Sequence, residues 1–261
     1  MKKLLLWMII AIELVLVSCN NDDNGNANGE TAKLELRLTD GPADYDAILL
    51  DIQRIEIKLN DEENYLFPFN NPGIYDLLEL NNGTDILLGN ANLPVGEIHQ
   101  MRMILGPNNK IIVNGVEHPL QTPSAQQSGL KFNVHQSLLP GMVYKMWIDF
   151  DAGKSIVETG NGGYILKPVI RTFTDLTNGM IEGRVGPVEA MTIVYAMQNL
   201  NDTIATAIPN PDGYFKFMGM PEGTYRLRFD ANNPLFQDQE LSPVNVSFGN
   251  ITNVGDIVMT P

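Results

Sequence analysis

From Ala32 onward hydrophobic residues recur at alternate positions, and no segment shows the three-and-four spacing of an amphipathic helix of useful length. Alternation sends successive side chains to opposite faces of an extended backbone, so the chain is restricted to half-buried strands. Leu34, Leu36 and Leu38 share one face before Thr39-Asp40-Gly41-Pro42 interrupts the run. Met142, Tyr144, Met146, Ile148 and Phe150 make the longest clean alternation, which predicts a central core strand. Ile48, Leu50 and Ile52 have one parity, whereas Ile55, Ile57 and Leu59 have the other. One extra residue near Gln53-Arg54 returns both sets to a common face, so a β-bulge is expected there.

Turn chemistry divides the rest. A polar turn over 60–64 precedes short apolar runs over 65–69 and 74–80, both expected to pair as strands and separated by Asn70-Asn71-Pro72-Gly73. Met101, Met103 and Leu105 alternate after Leu93-Pro94-Val95-Gly96. Asn114-Gly115 lies between apolar runs, and because both residues tolerate positive φ it signals a tight hairpin. Alternation resumes over 130–134 after a polar loop, 164–173 supplies the last strands of a first domain, and 174–179 reads as a boundary. Beyond it, 180–261 holds about seven short β-like runs, with Asn210-Pro211-Asp212-Gly213 as one of the turns between them. The expected fold class is all-β, with two β-sandwich-like domains in tandem over 31–175 and 179–261.

The N-terminus reads differently. Met1-Lys2-Lys3 is cationic, Leu4 to Ile12 is apolar, and Leu16-Val17-Ser18-Cys19 contains the only cysteine. The apolar run is interrupted by Glu13 and is shorter than the roughly 20 residues a membrane span needs. It resembles a secretory signal peptide over 1–18 that ends in a bacterial lipobox. The resemblance implies cleavage between Ser18 and Cys19, acylation of Cys19 by palmitate-like chains, and the membrane as a partner through that anchor. Residues 19–30 are rich in Asn, Asp and Gly and are expected to form a flexible tether. Asp22 and Asp23 resemble the surface-export signals of Bacteroidetes lipoproteins, which implies an outer-membrane protein facing the cell surface, with a periplasm-facing one as the alternative.

Removing 1–18 takes Lys2, Lys3 and Glu13 from totals of 17 basic and 31 acidic residues, leaving a net charge of −15. Such a surface repels phosphate and excludes nucleic acid as an expected partner. With a single cysteine there is no intramolecular disulfide, so packing must supply stability.

Several segments of the first domain together resemble a family of envelope lipoprotein domains known only as a domain of unknown function, numbered four-three-eight-two. They are Thr39-Asp40-Gly41-Pro42, Asp76-Leu77-Leu78-Glu79-Leu80 with Gly83, Leu93-Pro94-Val95-Gly96 with Arg102, Ser128-Gly129-Leu130-Lys131, Asp149-Phe150-Asp151-Ala152 and Leu166 to Arg171. Ile98 stands where that family would have an aromatic residue. The second segment is similar to carboxypeptidase regulatory-like and transthyretin-like sandwiches through Gly183-Arg184-Val185, Asp212-Gly213-Tyr214-Phe215 and Met220 to Tyr225. These resemblances imply a noncatalytic protein with a binding or adhesive role. Architectural closeness to starch-binding-like modules makes a carbohydrate-binding accessory protein the alternative, and a hydrolase with an unrecognised site is a further one.

The chemistry-bearing residues are few. Gly153-Lys154-Ser155 lacks the upstream glycine of a phosphate loop, since Ile148 occupies that position, and neither a Gly-x-Ser-x-Gly elbow nor a His-Glu-x-x-His helix is present. No catalytic residue and no cofactor is therefore assigned. His99, His118 and His135 are not spaced as a local metal pair. Asp149 and Asp151 lie opposite Ile148 and Phe150; they are candidate calcium oxygens, but pairing with Arg102 or Arg171, or turn capping, is the stronger expectation. Asp40, Asp44 and Asp46 carry the same expectation. Trp147 shares its parity with Lys145 and Asp149, the more polar face, where an exposed ring would serve as a sugar platform.

Overall fold

In a computed structural model, residues 30–60, 64–123, 128–199 and 202–261 are described. Ser18, Cys19, Asp22 and Asp23 lie outside them. The regular structure of the described residues is almost all strand, and none of their helices is long and apolar enough to cross a membrane. They build two apolar cores, one from Ala32 to Ile170 and one from Ile181 to Met259.

The first core lies between two sheets. One has the order β13-β10-β1-β5, built from Ile170–Thr174, Val143–Phe150, Thr31–Asp40 and Ile86–Pro94. The other has β2 (Ala47–Leu59) near its centre. Around it pair β3 (Asn64–Phe67), β4 (Gly73–Asp76), β6 (Gly96–Leu105) and β7 (Lys110–Val113), with β8 (Val116–Gln121), β9 (Leu130–Leu138), β11 (Ile156–Glu158) and β12 (Tyr164–Leu166) further out. Strand β10 is an interior strand, parallel to β1 and antiparallel to β13. Its Tyr144, Met146, Ile148 and Phe150 meet Leu34, Leu36 and Leu38 in the core.

The parity switch in β2 is resolved as its pattern requires. Pairing with β6 shifts register between Ile52 and Arg54, and Gln53 and Arg54 both face solvent. Ile48, Leu50, Ile52, Ile55, Ile57 and Leu59 are then all buried. Asn114 and Gly115 turn between β7 and β8 at φ 52° and 74°. The expectation of strand over 74–80 needs correction: Leu77–Leu80 is a 3-10 turn, capped by Asp76, whose carboxylate accepts the N–H groups of Leu78 and Ile48. The cap turns Leu77 into the core.

The second core lies between the sheets β17-β14-β20 and β16-β15-β18-β19. In chain order these are β14 (Gly179–Gly186), β15 (Thr192–Gln198), β16 (Asp202–Ala207), β17 (Tyr214–Met220), β18 (Gly223–Ala231), β19 (Gln239–Val246) and β20 (Ile251–Val258). Phe215 makes edge contacts with Phe217 and Phe229 at its centre. Gly213, at φ 76°, passes so close to Val185 that an added Cβ would sit 2.3 Å from its carbonyl oxygen.

Candidate functional site

The carboxylates singled out by alternation converge where the two sandwiches meet. Strand β1 ends at Thr39-Asp40, and its neighbour β10 ends at Asp149-Phe150 in register with it. Thr39 Oγ1 donates to the carbonyls of Leu80 or Thr84. Asp40 Oδ1 accepts the Ala152 N–H at 2.9 Å, whereas Oδ2 is buried without a hydrogen-bond partner. Burial, reinforced by the charges of Asp149 and Asp151, pushes the Asp40 carboxyl up to about 9, so it holds its proton at neutral pH. Asp149 is ion-paired with Arg171 on β13. Burial pushes the Asp149 carboxyl up as well, against the opposing pull of Arg171. Asp151 caps the short helical turn Ala152–Ser155, accepting the Lys154 N–H at 3.1 Å and the Lys154 ammonium at 2.7 Å.

The expected pairing and capping of Asp149 and Asp151 are therefore both observed, and Arg171 rather than Arg102 is the partner. Arg102 reaches Glu56 instead. The arrangement is poor for calcium, which takes six to eight oxygens, because one carboxyl is neutral and a second is committed to a guanidinium. Asp46 accepts the Gly115 N–H at 2.7 Å. Ser155 donates to the Asp151 carbonyl and accepts the Val169 N–H, so the Gly153-Lys154-Ser155 stretch is occupied by its own fold.

The second sandwich covers this corner. A cleft of about 500 Å³ runs between Gly41, Asp151, Lys154 and Arg171 on one side and Thr203 to Thr206 on the other. Arg171 also donates to the Met218 carbonyl, and Asn82 to that of Ile208. The unpartnered oxygen of Asp40 is buried beside a small concavity of about 50 Å³ that Asp149, Arg171 and Lys216 also line.

Trp147 is not the exposed platform that its parity suggested: it is 6% exposed. Its side chain does point away from the core, but β13 places Phe173 beside it, with the rings stacked at 5.3 Å and 12°. Phe173 in turn packs on Gly219 of the second sandwich so closely that an added Cβ there would lie 2.4 Å from its ring. The indole N–H donates to Asp85 at 2.7 Å, and Asp85 also holds Arg37. Alternation identifies the two faces of one strand and carries no information about a second domain resting on the polar one.

His118 packs against Tyr164, but His99 and His135 come together across the β6–β9 pair, their ring centroids 6.4 Å apart. Sequence spacing hides this because 36 residues separate them.

A second concavity, of about 480 Å³, is apolar. Val185, Pro187, Val188, Met191 and Ile208 line it, together with Asp44 of the first sandwich. Val188, Met191 and Ile208 are 59%, 57% and 45% exposed. No motif announces this surface, since its members come from the turn around Val188–Ala190 and from the end of β16.

A family model described as "Domain of unknown function (DUF4382)" matches residues 31–168. No curated protein matches the chain. Among solved structures, similarity extends to an interface mutant of a type II cohesin–X–dockerin complex from Acetivibrio cellulolyticus, at 16% identity over 31% of this chain and 56% of that one, with a TM-score of 0.25. It extends also to the Bacillus anthracis TIE protein, at 12% identity over 89% and 35%, TM-score 0.27. The shaft pilin SpaA of Lactobacillus rhamnosus GG matches at 7% identity over 88% and 98%, TM-score 0.24. The chain spans about half and about a third of the length of the first two. Likenesses at these scores carry no inference about activity or partner.

Proposed function

The chain belongs to the family described as Domain of unknown function (DUF4382), and from that premise we propose a noncatalytic binding or adhesive protein of the cell envelope, anchored through lipid on Cys19. The lipobox-like Leu16-Val17-Ser18-Cys19 supports the anchor. On this reading the family domain stands next to the membrane on the 19–30 tether, and the second sandwich is a carboxypeptidase regulatory-like appendage that completes the binding face. An outer-membrane position facing outward agrees with Asp22 and Asp23. The proposed partner is a protein of the envelope or of a neighbouring surface.

One observation carries the binding role: large apolar side chains stand exposed around a concavity at the junction of the two sandwiches. Water is a poor solvent for such a cluster, and contiguous exposed apolar surface beside a concavity is the usual mark of an interaction site. The glycan reading has no comparable support, because Trp147 is covered. The test is photo-crosslinking in intact cells with the reactive group at position 191 or, as a control, at Phe248, which is exposed near the opposite end of β14 from Val185. A discrete adduct at 191 that disappears with Val188→Lys is expected. No adduct at 191, or the same adduct from 248, refutes the assignment of this surface.

A further inference from the structure

Strands β6 and β9 pair irregularly at one point. Ile98 is opposite Gln136 and Gln100 opposite Asn133, so the single residue His99 faces two, Val134 and His135. This is a β-bulge with the extra residue on β9, and His135 takes φ 55° there. A bulge re-aims a side chain relative to simple alternation. Here it turns His135 toward Glu97 and His99, which already share a face as alternate residues of β6.

The Nδ1 atoms of His99 and His135 lie 3.7 and 3.6 Å from the same oxygen, Glu97 Oε1. The ligand atoms of all three residues fall within 4.8 Å of one another. Zinc binds imidazole nitrogen and carboxylate oxygen at about 2.0–2.2 Å, so neighbouring ligands of a tetrahedral ion are about 3.3–3.5 Å apart. The two edges from Glu97 Oε1 exceed that by only a few tenths of an ångström. All three side chains keep access to solvent, at 42%, 31% and 68% exposed for Glu97, His99 and His135, so small rotations can close the gap. Two imidazoles and a carboxylate are also a donor set that suits zinc and neighbouring transition metals, whereas calcium prefers oxygen alone.

We propose that Glu97, His99 and His135 form a surface site for a divalent transition metal of the zinc class, with the remaining coordination positions open to water or to a donor from a partner. The site is independent of the apolar concavity and stands or falls separately from the binding role. It is tested by Zn²⁺ titration of the full-length chain carrying Cys19→Ala, which removes the thiol as a competing ligand. One equivalent of Zn²⁺ should bind saturably. His99→Gln and His135→Asn should each weaken binding about tenfold or more, and asparagine tolerates the positive φ at 135, so the second variant keeps the bulge. His118→Gln, outside the cluster, should bind as the parent does. Co²⁺ in place of Zn²⁺ should give visible absorption that both cluster variants lose. Absence of saturable binding by the parent overturns the proposal, as does binding that survives both cluster substitutions or is displaced by calcium.

Discussion

Replacing Asp40 by Asn should stabilise the first sandwich increasingly as pH rises. Asparagine has the shape of the protonated acid, and its Oδ1 can accept the Ala152 N–H that Asp40 now accepts at 2.9 Å. Below pH 4 the aspartic acid is protonated in both folded and unfolded chains, so its titration costs folding nothing. Between about 4 and 9 the unfolded chain releases the proton while the folded one retains it, because burial raises the folded carboxyl to about 9. Wild-type stability therefore falls with rising pH across this window, by up to about 1.4 kcal/mol per pH unit, and levels off above it. Across pH 5 to 8 the ceiling is about 4 kcal/mol, and water entering a relaxed cleft reduces it, so a change on the order of 2–4 kcal/mol is expected in the difference between the proteins. Urea unfolding of the chain lacking residues 1–18, in which Trp147 is the one tryptophan, reports this change by fluorescence, since that ring is stacked on Phe173 of the first sandwich. Asp149, whose carboxyl burial also pushes up, is common to both proteins and cancels to first order. Parallel stability curves from pH 5 to 8 would refute a proton-holding Asp40.

Gly219→Ala should cost about 1–3 kcal/mol and alter Trp147 emission, because φ is 63° there and the new Cβ would meet the Phe173 ring; unchanged emission would argue against packing of the second sandwich on this ring pair. Deleting Gln53 removes the bulge and sends half of β2's apolar residues to the wrong face, so the first sandwich should fail to fold cooperatively by circular dichroism and urea titration. Asp85→Ala strips a shared partner from Arg37 and the Trp147 N–H and should cost about 2–4 kcal/mol by urea unfolding. EGTA should leave the melting temperature unchanged, and a large drop that added Ca²⁺ but not Zn²⁺ reverses would restore a calcium role for the Asp149 region.

Strand identity was legible wherever one face is buried and the other wet. Ile48 to Leu59 is the clearest case, since its parity break located the bulge to within a residue. Asn114-Gly115 and Asn210 to Gly213 announced their turns because only a few residue types adopt those backbones easily. The strand over Ile86–Pro94 was not legible: Gly89, Asn90 and Asn92 obscure its pattern, and β1 beside it supplies the order. The Arg171 and Asp149 pair was among the expected ones because both sit on the same strand faces. Burial of Trp147, the proton on Asp40, and the meeting of His99 with His135 all depend on contacts between residues far apart in the chain. No local period encodes those.

Attachment through Cys19 is tested most directly by fractionating cells that express the natural chain or Cys19→Ala, with blotting of membrane and soluble fractions. Acyl chains contribute roughly 0.8 kcal/mol per buried methylene, enough for several to retain the protein on a bilayer through high-salt washing. The natural chain should remain in the membrane fraction and Cys19→Ala should leave it. Membrane retention of the Cys19→Ala chain would contradict a lipid-anchored protein.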